Sequence, residues 1–216
     1  MKGIEPGYGD TPLEPEEAEA LTPQAREAFG DQPERLELYE TEQAIADEVS
    51  VRLFADIARG SLTLDDLLTD IFLRDLHRQL YDELWTWAGI YRTRELSIGI
   101  DPQHIAVELR ASFDTLRYRW EHTNDWTPRE LGIAVHAEAV RIHGFIDGNG
   151  RTTRLLADLV FFATQDPDAV VEAYDWDIDK REYVALLQQY DRSRDSGPLA
   201  KFVPVRRLDD DRSGSD

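Results

Sequence analysis

Three glycines within seven residues, Gly144, Gly148 and Gly150, separate two stretches whose apolar residues recur at helical steps, and that break constrains the fold more than any other feature of the chain. Upstream, over residues 128–143, Leu131, Val135, Ala139 and Ile142 fall three and four residues apart, the period of an amphipathic helix. Downstream, over 151–162, Leu155, Leu156, Leu159, Val160 and Phe162 are dense enough for a helix buried on more than one side. The pattern predicts two core helices joined by one tight, glycine-shaped loop.

That loop is chemically dense: His143, Gly144, Phe145, Ile146, Asp147, Gly148, Asn149, Gly150, Arg151, Thr152, Thr153 and Arg154 follow in unbroken succession. Glycines on both sides of Asn149 leave backbone N–H groups bare where the second helix is to start. Unpaired donors and the positive end of the helix dipole make 148–150 an anion site, with phosphate its natural occupant. Arg151 and Arg154, three apart, share a helix face and offer two guanidinium forks to phosphate oxygens. A carboxylate beside phosphate calls for a divalent cation between them, so Asp147 is the candidate Mg²⁺ ligand. His143, ending the first helix, is the candidate general base for an attacking hydroxyl. Phe145 is expected to point into the core and anchor the loop.

Other chemistries fail on spacing. A calcium-binding EF-hand loop also opens with Asp and Asn, but Arg151 holds its fifth position and Thr152 the position that requires glycine. Neither a G-x-x-x-x-G-K-[S/T] phosphate loop nor an H-E-x-x-H zinc helix occurs. His136 and His143 lie seven apart on one helix face, yet with no cysteine and no third ligand they make no zinc site. Taken singly, His143 reads as a helix-end residue, Asn-Gly as a turn and each arginine as half of an exposed ion pair. Those readings do not account for the residues together.

The spacing over 143–154 resembles the signature of the Fic/Doc (Fido) family, H-x-F-x-[D/E]-G-N-G-[R/K]-x-x-R, whose usual members transfer AMP from ATP to protein hydroxyls. Residues 84–93, with Trp87, Ala88, Gly89 and Arg92, look like the W-A-G-x-x-R segment that precedes the family's flap, and 103–116 resembles the helix that follows it. The run 11–18 is similar to a subgroup called mobile mystery protein B. The resemblance implies a mainly α fold, a Fic-type helical bundle with a short β-hairpin flap beside the active-site loop. It implies His143 as the base, Asp147 as the Mg²⁺ ligand bridging the α- and β-phosphates, and Gly148, Asn149 and Gly150 as the anion hole. Arg151 and Arg154 would neutralise the β- and γ-phosphates. Tyr183 resembles an aromatic residue bordering the nucleotide base, and reads equally as a core tyrosine on an amphipathic helix.

Many members of the family carry an inhibitory helix with [S/T]-x-x-x-E-[G/N], whose glutamate pairs with the second motif arginine, here Arg154. No Ser or Thr of this chain has Glu four residues later. Glu42, before Gln43 but with Leu38 at the Ser/Thr position, is the inhibitory candidate; otherwise it belongs to a solvated helix face. An external antitoxin-like partner is the other source of restraint. Glu95, Leu96, Ser97 and Ile98 alternate within 94–100, which suits a short strand or hairpin. In the family this flap docks an extended segment of the target protein by strand addition.

Helical periodicity runs over 36–58, 64–87, 105–120, 128–143, 151–162 and 179–190 of the 216 residues. The expected organisation is a flexible N-terminal extension over 1–33, an N-terminal helix over 34–62 with a regulatory role, a Fic core over 63–205 and a disordered acidic tail over 206–216. A net charge of −20 argues against a nucleic-acid surface, so phosphate binding must be local. With no membrane-length apolar run, no leader pattern and no cysteine, the expected location is the cytoplasm, without disulfides, thiol catalysis or membrane association. The function expected is a protein adenylyltransferase using ATP and Mg²⁺. The alternatives are a Doc-like phosphotransferase, disfavoured because Gly150 keeps the G-N-G-R form, and a toxin component silenced by a partner.

Overall fold

The helical period of the sequence is realised as α1 (Pro15–Glu19), α2 (Pro23–Phe29), α3 (Arg35–Ala58), α4 (Leu64–Leu67), α5 (Asp70–Tyr81), α6 (Ile105–His122), α7 (Pro128–Ile142), α8 (Asn149–Thr164), α9 (Lys180–Ser193) and α10 (Gly197–Phe202). This computed structural model describes residues 13, 15–30 and 33–208. Among them one small sheet forms, β1 (Glu172–Tyr174) antiparallel to β2 (Val205–Arg207), with Ala173 opposite Arg206.

The axis of the fold is the α7/α8 pair. A capping box between Thr127 and Glu130, with Pro128 in the first turn, starts α7 where the sequence placed it. Leu131, Ile133, Val135 and Ile142 on α7 and Leu156, Leu159 and Val160 on α8 are fully enclosed. Each such side chain contributes about 2 kcal/mol by leaving water. Gly132 lets the two backbones close up: a Cβ there would stand 2.9 Å from the Ala157 carbonyl oxygen. Helices α3, α4 and α5 pack on α8, α6 packs on α7, and α9 and α10 cover another side of α7. The main core runs through Leu38, Leu53, Leu73, Leu76, Phe113 and Phe145, and a smaller one gathers Phe161, Tyr174, Tyr190, Leu199 and Val203. No helix among the described residues is long and apolar enough to cross a membrane.

Three expectations need correction. The helix read over 64–87 is broken, because Thr63 and Thr69 each cap a new start: Thr63 closes a capping box with Asp66, and the Thr69 hydroxyl accepts from Phe72 N at 3.0 Å. The chain after Tyr81 turns instead of continuing. The flexible extension over 1–33 is, at 15–30, two helices tied to the body: Leu21 is buried and bridges Trp85, while Thr22 N donates to the Leu84 carbonyl at 2.9 Å. A buried leucine and paired backbone leave that segment little freedom. Residues 94–100 form bends and coil, with no strand; Arg92 ties down the two ends of the segment, donating to the Arg94 carbonyl at 3.0 Å and to that of Ile100. Of the expected tail, 206 and 207 lie in β2, and 209–216 lie outside the described residues, as do 11, 12 and 14 of the run 11–18.

Candidate active site

Every residue of the loop that sequence reasoning singled out is brought to the junction of α7 and α8. His143 caps α7 in the left-handed region, φ 53° and ψ 63°, where a non-glycine residue is strained; the turn it makes starts the loop. Phe145 is enclosed as expected, and its backbone is clasped by Asn149: Phe145 N donates to Asn149 Oδ1 at 3.0 Å, and Asn149 Nδ2 donates to the Phe145 carbonyl at 2.8 Å. The Asn149 side chain therefore shapes the loop from within, and only its backbone can face an anion. Gly148 has φ 72°, and a Cβ on it would stand 2.5 Å from the Tyr81 ring, so only glycine fits. Helix α8 then begins at Asn149, and its hydrogen-bond ladder opens with Thr152 N donating to the Gly148 carbonyl at 3.1 Å, so the N–H groups of 149–151 lie ahead of that ladder, as an anion site requires.

Electrostatics follow from this placement. Burial, and next the positive charge of Arg92, lower the pKa of His143 below the ordinary 6.5, which keeps the imidazole neutral and able to accept a proton. Asp147 is exposed, and one of its carboxylate oxygens, Oδ1, accepts from Gly148 N at 2.7 Å. Among the described residues no cluster of three His, Cys, Asp or Glu gathers to hold a metal ion. One carboxylate beside a phosphate site fits Mg²⁺ shared with substrate phosphates and completed by water.

The two arginines have different neighbours. Arg151 is paired with Glu42 of α3, whose other oxygen accepts from the Trp85 indole at 2.7 Å; Glu42 is 7% exposed. The expected partner of Glu42 was Arg154, but α3 runs alongside α8, with Phe54 against Phe162 farther on, and Glu42 falls level with the first turn, where it meets Arg151. Arg154 lies one turn on, and its positive charge pulls the pKa of the Tyr183 hydroxyl down against the larger upward push of burial; that hydroxyl stands 2.6 Å from His136 Nε2. Tyr183 is half-buried against the smaller core. The Glu42–Arg151 pair borders two clefts: one of about 470 Å³ with Asp147, Trp85, Trp87 and Arg94, the other of about 410 Å³ with Arg154, Asp158 and Trp176. Burial pushes the Asp158 carboxyl up to about 7, against the opposing pull of the Trp176 N–H and Arg154.

Sequence reasoning missed four residues around the loop. Arg92 is 4% exposed and donates from Nε to the His143 carbonyl at 2.7 Å, while its backbone N–H reaches the Gly144 carbonyl at 2.9 Å. Trp85 holds Glu42, and His136 holds Tyr183. His77 is fully buried, stacked on Phe145 at 3.7 Å, and burial lowers its pKa to about 4. The available signal was a polar residue on an apolar helix face, as His77 is among Leu73, Leu76 and Leu80.

Comparison with known proteins bears on the family and the fold. A family model described as the Fic/DOC family matches residues 67–161. A Fido domain-containing protein of Dictyostelium discoideum is 41% identical over 123 residues, covering 53% of this chain and 82% of that one. A Caenorhabditis elegans protein adenylyltransferase, fic-1, is 29% identical over 147 residues, 66% of this chain, which spans only 26% of that relative's length. The crystal structure of BepC from Bartonella tribocorum with bound AMPPNP shares the fold, with a TM-score of 0.59, 16% identity and coverage of 81% of this chain and 90% of that one.

Proposed function

Because this chain belongs to the Fic/Doc family, we propose that it is a protein adenylyltransferase, moving AMP from ATP to a serine, threonine or tyrosine hydroxyl of another protein. The observation that carries the reading is one short loop with His143 at one end, the open start of α8 at the other and Asp147 between them. The hydroxyl oxygen attacks the α-phosphorus while the bond from that phosphorus to the bridging oxygen breaks and pyrophosphate leaves. The hydroxyl proton passes to His143, which its lowered pKa leaves unprotonated near neutral pH. The N–H groups opening α8 orient the phosphate oxygens, and Arg151 and Arg154 balance the charge of the leaving pyrophosphate. Asp147 is the residue that would hold Mg²⁺, which when bound spreads the negative charge of the phosphates.

Glu42 restrains this chemistry, since the Arg151 guanidinium it pairs with is the one the phosphates require. The target's extended segment docks along 94–100, through backbone groups that Arg92 leaves open. Intact-protein mass spectrometry after incubation with ATP and Mg²⁺ tests the reading, with the protein itself and a mixed lysate as acceptors. The expected result is a gain of one AMP with the wild type, and a loss of about 10²-fold or more in rate for His143→Ala. A gain of one phosphate instead would replace it with the Doc-like phosphotransfer reaction. No transfer even by Glu42→Gly would refute it.

A further inference from the structure

We propose that His77 is a positioning residue that sets the orientation of the Asp147 carboxylate and the phosphate loop by donating one hydrogen bond to the Asp147 main-chain carbonyl. The proposal deepens the reading above and rests on it for the use made of Asp147.

The ring sits between two backbone groups of opposite kind. Gly89 N donates to His77 Nδ1 at 2.8 Å, and His77 Nε2 lies 3.0 Å from the Asp147 carbonyl oxygen. A backbone N–H only donates and a carbonyl only accepts, so the lone pair must be on Nδ1 and the hydrogen on Nε2. The ring is held in that orientation: it stacks on Phe145 at 3.7 Å and 12°, with Tyr81 at 4.8 Å and Trp87 at 5.5 Å. It joins the W-A-G turn to the loop, with His77 itself 70 residues before Asp147.

The consequence for the site follows from peptide planarity. The Asp147 carbonyl and the Gly148 N–H belong to one trans peptide and point in opposite directions. Drawing the carbonyl toward His77 therefore aims the Gly148 N–H away from it, and that N–H donates to Asp147 Oδ1 at 2.7 Å. One hydrogen bond from His77 thus fixes, through a rigid plane, where the carboxylate stands. Gly148 supplies the φ of 72° that the plane then requires before α8 can start. Partners of this kind behind a metal-holding carboxylate typically matter by about 10–100-fold in metal affinity.

Three substitutions separate positioning from mere filling of the core. His77→Asn keeps an acceptor for Gly89 N and loses the donor to Asp147; His77→Gln places an amide N–H near that carbonyl; His77→Phe keeps the stacked ring and loses both bonds. Each full-length variant is compared by thermal unfolding, by amide hydrogen exchange over 147–151 without ligand, and by calorimetric titration with a non-hydrolysable ATP analogue plus Mg²⁺. The expected result is about tenfold faster exchange and about tenfold weaker binding for Asn and Phe, with Gln within about threefold of wild type. Wild-type exchange and wild-type affinity in a folded Asn variant would overturn the proposal, as would Gln behaving like Phe. If Phe fails to fold, the Asn and Gln pair still decides. A wild-type protein that binds no Mg²⁺–nucleotide would sink the adenylyltransfer reading, while the exchange arm would still decide the role of His77.

Discussion

The loop from His143 to Asn149 and the arginine face of α8 are neighbours in sequence, yet they are held in opposite ways. The loop is fixed by contacts that a ligand does not replace: the Asn149 clasp, Phe145 stacked on His77, and Arg92 on the His143 carbonyl. Arg151 is held by a contact that phosphate would displace, the Glu42 carboxylate, and Arg154 lies near enough to the Tyr183 hydroxyl to act on it by charge. Shape is built in and charge is exchangeable. A site that must present N–H groups at fixed positions gains from the first, because a preorganised donor needs no rearrangement when charge develops. A site that can be held silent gains from the second.

The sharpest way to break the comparison is to loosen the loop while leaving its charges in place. Asn149→Ala removes both clasp bonds and leaves the buried Phe145 N–H and carbonyl without partners. The expected loss is about 2–4 kcal/mol in the free energy of unfolding, read from urea denaturation. A loss below about 0.5 kcal/mol would mean that the loop is set elsewhere.

A smaller effect is expected on the arginine side. Glu42→Gln keeps an acceptor for the Trp85 indole and removes the charge facing Arg151. Arg151 keeps a third of its side-chain surface exposed, so water already weakens the pair. Calorimetry should show a Mg²⁺–nucleotide binding about three- to tenfold tighter, with stability little changed. Binding that is unchanged or weaker would mean that Glu42 does not compete with phosphate.

The same division explains what could be read from the sequence. Loop and flanking helices were legible because their signals are local: apolar steps of three and four, and glycines at a break. The braces were not, because each joins distant segments: His77 to Asp147, Trp85 to Glu42, Tyr183 to His136. The pairing of β1 with β2 across α9 and α10 is equally nonlocal, and three residues per strand leave no pattern to detect. Alternation at 95–98 suggested a strand, but a strand needs a partner, and among the described residues the paired strands are β1 and β2, elsewhere in the fold. Glu42 was legible as a candidate; its choice of Arg151 over Arg154 depends on how α3 lies along α8, which only packing decides.

The subtlest test uses pH, because His143 belongs to the fixed region and yet must titrate. Its pKa lies below 6.5 through burial first and the Arg92 charge second. A base works unprotonated, so kcat/KM should climb with pH and level off, with the midpoint of the acid limb below 6.5. The stability sign agrees: between the folded pKa and 6.5 the unfolded chain holds a proton that the folded one sheds. His143 therefore contributes stability above 6.5, and that contribution is lost as pH falls through its folded value. Arg92→Met should move the acid limb up toward 6.5, whereas Arg92→Lys, which keeps the charge but not the guanidinium fork, should leave it in place. Equal displacement by both would mean that the fork's grip on the His143 carbonyl, rather than its charge, tunes the base.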